Sequence, residues 1–124
     1  MGYRFPDARR GVRALCEPFG TTHFYLPDGW EGDLPAICVY RTGGTESGVM
    51  RDDRIQIETY AKGSTAANDV AMEIHEAIVG LPHDVEGIGL LDNIAALVIP
   101  DEVPYKSDDI SLVTASYRVS TRGH

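Results

Sequence analysis

His75 and Glu76 open the run HEAIV, and a zinc hydrolase built on such a helix needs a second histidine at position 79. Position 79 is valine. His83 lies beyond Gly80 and Pro82, which stop a helix, and His23 and His124 are remote in sequence, so no three-ligand zinc set is encoded. The acidic pairs at positions 52 and 53, 101 and 102, and 108 and 109 offer oxygens to a hard cation. They lack the twelve-residue spacing of a calcium loop, and solvated loops account for them more simply. A glycosidase needs two carboxylates facing each other across a cleft, which sequence adjacency does not provide. The triplet Thr42, Gly43 and Gly44 stands between two sheet-forming runs, whereas a phosphate loop leads into a helix; these three are expected to be connection residues. No serine has a GxSxG setting, and Cys16 and Cys38 form no CxxC, so the expected reading of both is a buried, reduced thiol. Neither an enzymatic activity nor a metal or cofactor is expected.

Charge leaves a different kind of candidate. Eleven Lys and Arg stand against nineteen Asp and Glu, a formal net charge of -8, which argues against a protein that binds nucleic acid by covering phosphates. Arg41, Arg51 and Arg54 nonetheless gather near one strand connection while acidic pairs dominate other loops. That separation suits contact between one copy and the negative surface of another, against the alternative of an ordinary mixed surface. His75 is read as a polar-face residue or one at a subunit contact. Trp30 sits in a loop rich in proline and glycine, and such an aromatic loop either folds back over the core or meets a partner. Trp30, Arg41, Arg51, Arg54 and His75 are thus the candidate interface residues.

The elements that must position these residues follow from periodicity. Residues 7 to 16 suit a short helix capped by Asp7, although Gly11 weakens its helix propensity. Residues 17 to 35 read mostly as loop, with room for a short strand at THFYL. AICVYRT and RIQIETYA alternate as strands, with Ile55, Ile57 and Thr59 on one face. The segment between them looks too long for a two-residue turn. STAANDVAMEIHEAIVGL carries Ala67, Val70, Ala71, Ile74, Ala77, Ile78 and Leu81 at helical spacing, with Ser64 or Thr65 as a cap. IAALVIP, then the acidic connection DEVPYKSDD, then ISLVTASYRVST read as a hairpin with Val113, Ala115, Tyr117 and Val119 on one face. The expected fold is α+β: a mostly antiparallel four-stranded sheet with helices packed on one face, in a single domain over residues 1–124 with a variable loop at about 17–35. The start has no apolar run of a secretory signal, Pro6 occupies the serine or threonine position of a myristoylation motif, and the longest apolar stretch is too short to span a membrane.

Two segments carry a family resemblance. LPAICVYRTGGTESGVMRDDRIQIETYAKGSTAANDVAMEIHEAIVGL, with VPYKSDDISLVTASYRVSTRG after a spacer, resembles the tail terminator or tail-completion proteins of long-tailed bacteriophages. The matching features are Pro35, Arg41 to Gly44, Ile55 to Ala61, the alanine-rich run Ala66 to Leu81, and Tyr117 to Arg122, over about two thirds of the chain. The resemblance implies a homohexameric ring at the end of the tail tube near the neck of the virion, put together in the host cytoplasm. It also implies contacts with the tube protein and head–tail connector proteins, passage of DNA without sequence-specific binding, and no catalytic residues. A negatively charged channel would repel passing phosphates. A head–tail adaptor, the tube protein itself, or a small cellular ligand-binding domain with Trp30 lining a pocket are the alternatives.

Overall fold

A computed structural model describes residues 4–80 and 82–124. Asp7 accepts a hydrogen bond from the Arg10 amide at 3.2 Å and so caps helix α1, Ala8–Cys16. Gly11 belongs in this helix for a packing reason: a Cβ there would stand 2.9 Å from Leu91 Cδ1. The segment that follows is less featureless than its composition suggests. It holds a 3-10 turn at Glu17–Phe19, strand β1 at Thr21–His23, and a second 3-10 turn at Trp30–Gly32.

Strands β2, Ala36–Ser47, and β3, Met50–Lys62, pair antiparallel down to Ser47 opposite Met50. The connection is therefore two residues, Gly48 and Val49, with Gly48 at φ 63° as such a turn requires. This corrects the sequence expectation. Thr42, Gly43 and Gly44 are not a connection but part of β2, where the register shifts between Arg41 and Gly43 as a bulge. Gly44 is pressed against the neighbouring strand, and a Cβ there would meet the Asp52 carbonyl oxygen at 2.5 Å.

Helix α2 runs over Ser64–Ile78 and buries Ala67, Ala71, Ile74 and Ile78. Its cap is the backbone of Gly63, whose carbonyl accepts from the Ala67 amide; Ser64 is the first helical residue and donates its hydroxyl to Glu102 instead. Ala77, expected on the apolar face, points outward, and Leu81 lies outside the described residues. A small hairpin of β4, His83–Val85, and β5, Gly89–Leu91, leads to β6, Asn93–Val103, and β7, Ile110–Arg122.

The main sheet has the order β1-β2-β3-β7-β6 and is antiparallel except where β1 lies parallel to β2. It thus has five strands where four were expected, because the three-residue β1 adds to the β2 edge. Both helices cover one face, where Val12, Ile37, Ile55, Ile74, Ile78, Tyr117 and Val119 form the main core. The loop 24–35 folds over one end of the opposite face and seals a second cluster around Ala36, Cys38, Tyr60 and Leu112. Cys16 belongs to the first cluster and Cys38 to the second, so the sheet separates the two free thiols.

Candidate interaction surfaces

The register defines two ends of the sheet. At one end, the hairpin end, Ser47, Met50 and Arg122 lie side by side; at the other, Ala36, Tyr60, Leu112 and Val103 do. Residues 51 and 62 of β3 stand roughly 35 Å apart along the strand at about 3.3 Å per residue.

At the hairpin end Asp53 is the central residue. Odd positions of β3 face the helices, so Asp53 follows Ile55, Ile57 and Thr59 into the buried layer and is only 2% exposed. Its carboxylate accepts from Arg41 Nε at 2.6 Å and from Arg51 Nε at 3.2 Å. Arg51 also lies 3.8 Å from Glu46. A buried charge needs partners of this kind, and the pair holds both guanidinium groups in fixed positions. The segment Phe5 to Arg9 forms the facing wall of a cleft over this cluster. Beside it, Arg9 and Arg13 stack on the Phe24 ring at 4.2 and 4.6 Å. Arg54, the third arginine of the expected group, projects from the opposite face, where it pairs across the strands with Arg118 and borders Leu97. The structure brings Arg41 and Arg51 together and leaves Arg54 apart.

Trp30 and His75 are both engaged within the chain. The Trp30 ring meets Tyr60 edge-on at 4.8 Å, and Tyr60 meets Tyr105 at 5.4 Å, so the aromatic loop is folded over the sheet. Tyr60 donates its hydroxyl to Glu58 at 3.0 Å, and burial with the nearby Glu58 charge pushes the Tyr60 phenol well above its ordinary range. His75 Nδ1 lies 2.9 Å from the hydroxyl of Tyr117, a phenol raised mainly by burial. His75 thus satisfies the polar end of a buried tyrosine.

The edge strand β6 supplies a surface that sequence periodicity did not reveal. IAALVIP is a hairpin strand as expected, and within this apolar run Leu97, Val98 and Ile99 are exposed, Ile99 at 67%. The register with β7 shifts on both sides of Val98, so these residues leave the regular alternation at a sheet edge. Asp53 was also misplaced, as half of a solvated acidic pair. Its phase with Ile55 and Ile57 is the signal that puts it inside, while its neighbour Asp52 accepts from Ser120 at 2.6 Å on the other face.

Among the described residues no three His, Cys, Asp or Glu side chains converge as metal ligands, and no helix is long and apolar enough to cross a membrane. No family model matches the sequence, and no curated protein matches it. Among solved structures, the chain is similar in fold to a chain from the virion of the native gene transfer agent particle. The TM-score is 0.57, the match covers 90% of this chain and 84% of that one, and 17% of the aligned residues are identical. At that identity the likeness is one of fold.

Proposed function

We propose that this chain is a non-catalytic structural subunit of a phage-like or gene-transfer-agent-like virion, acting in the tail or head–tail region. Within that setting its role is to form a ring that ends the tail tube and offers a joining surface to the head. The observation that carries the reading is the fold similarity to a virion chain, which runs through nearly the whole length of both proteins. It agrees with the resemblance of the β2-to-α2 and β6-to-β7 segments to tail terminators.

The local chemistry supports a role in assembly. Trp30 is packed edge-on against Tyr60 in the second core cluster, which gives it a structural part in the fold. The bulged apolar edge of β6 is the surface assigned to the tube, since an unpaired edge with exposed Leu97, Val98 and Ile99 offers both backbone groups and apolar area to a neighbouring subunit.

The test is tube growth followed by electron microscopy, with this chain added to the polymerising tube protein of the same particle. Shortened tubes carrying a distinct terminal ring are the expected result. Incorporation along the tube would identify a tube subunit instead, and unchanged tubes without bound protein would reject the reading.

A further inference from the structure

We infer that copies of this chain join through a heterologous contact in which the acidic β6–β7 turn of one copy enters the arginine cleft at the hairpin end of the next. This rests on the proposal that the chain works as a ring. A closed ring of identical subunits needs two different, complementary patches on each copy, and the fold places such a pair at opposite ends of its sheet.

The donor patch is the connection between β6 and β7. Asp108 and Asp109 are exposed there, and neither is in a salt bridge among the described residues. The turn is held in shape by its backbone: the Ser107 hydroxyl accepts from the Asp109 and Ile110 amides, and the Asp109 carbonyl accepts from Gly63. Its carboxylates are therefore presented on an ordered support.

The acceptor is the cleft between the Phe5–Arg9 segment and the Arg41–Asp53–Arg51 cluster. Asp53 engages the Nε atoms of both arginines, and their terminal nitrogens make no hydrogen bond within the described residues. The Arg41 side chain is 43% exposed despite that bond. Arg4 and Arg122 add exposed positive charge at the same end, where the backbones of Arg4 and His124 exchange hydrogen bonds. A guanidinium anchored on one side is preorganised for a second carboxylate, because less side-chain freedom is lost on contact. The cleft arginines stand beside Asp7, Asp53 and Glu46, and Lys106 shares the turn with Asp108 and Asp109, so the complementarity is local, between exposed guanidinium groups and the turn carboxylates.

The test uses two variants of the full chain. Asp108→Lys with Asp109→Lys removes the donor while changing only exposed turn side chains. Arg51→Gln weakens the acceptor while leaving Arg41 on Asp53. By native mass spectrometry and sedimentation, each variant alone is expected to lose self-association at least tenfold relative to the parent chain. An equimolar mixture is expected to form a 1:1 heterodimer that grows no further, since only one intact donor and one intact acceptor meet. The parent assembly is expected to weaken between about 50 mM and about 500 mM salt, as screening of a charged contact requires. Circular dichroism melts establish that both variants are folded; if Arg51→Gln does not fold, Arg9→Gln takes its place as the acceptor variant. Parent-like assembly of the Asp108 and Asp109 variant, or a mixture without heterodimer, overturns the contact. Such a variant that still forms rings and caps tubes overturns this contact alone, whereas a parent chain that neither assembles nor binds tubes overturns the function on which it rests.

Discussion

Asp53 is the residue whose environment differs most from its sequence context. Its carboxylate is buried and neutralised by two arginines, so Asp53→Asn leaves Arg41 and Arg51 crowded without their counter-charge. Loss of one partner from a fully buried pair costs about 3–5 kcal/mol. The exposure of Arg41 reduces this, and a loss of about 2 kcal/mol in urea unfolding is expected. Cys16 gives a second prediction. Burial pushes its thiol from 9.0 up to about 12, so the folded state keeps a proton that the unfolded state releases. The contribution of Cys16 to stability is full below pH 9 and declines as the pH rises toward 12, which alkaline denaturation will measure. Tyr40, Tyr60 and Tyr117 act in the same direction above pH 10, and absorbance near 295 nm should therefore show three of the six tyrosines ionising only as the chain unfolds. Side-chain chemistry of this kind was poorly legible in the sequence. The exclusion of a zinc helix follows from Val79 alone, but the partners of Asp53 and His75 are set by strand phase and tertiary packing.

At the scale of elements, local pattern was informative wherever one face is buried. Ile55, Ile57 and Thr59, and later Val113 to Val119, announce their strands by alternation, and α2 announces itself by three- and four-residue spacing. The long β2–β3 hairpin was hidden because glycines inside a strand look like a turn. Gly44 is there because the Asp52 backbone passes too close for a side chain. Gly44→Ala is accordingly expected to destabilise by about 1–3 kcal/mol in chemical denaturation, as overpacking against backbone does, although alanine is the less flexible residue. The short β1 was hidden for another reason, since three residues carry too little pattern and their pairing with β2 depends on the fold around them. On β6, Val98→Lys with Ile99→Lys changes exposed positions. Its thermal midpoint should stay close to the parent's, while binding to tube ends measured by cosedimentation should fall at least tenfold, a loss of about 1.4 kcal/mol or more.

The whole molecule is a sheet with a helical cover, an aromatic loop closing one end of its other face, a bulged apolar edge, an arginine cluster at one end of its strands and an acidic turn at the other. Composition indicated a folded, acidic protein, and element order indicated the α+β class. The arrangement of the surfaces needed the register, because only the register sets Arg51 about 35 Å from the β6–β7 turn. These surfaces have the form expected of a subunit that meets unlike neighbours, and the chain shares its fold with a chain of a virion. The most direct measurement is native mass spectrometry of the purified chain over a concentration series, with and without preformed tail tubes. A discrete closed ring of six copies that binds tube ends and stops their growth is the result expected of the proposed function. A chain that stays monomeric at every concentration and leaves the tubes free to grow would contradict it.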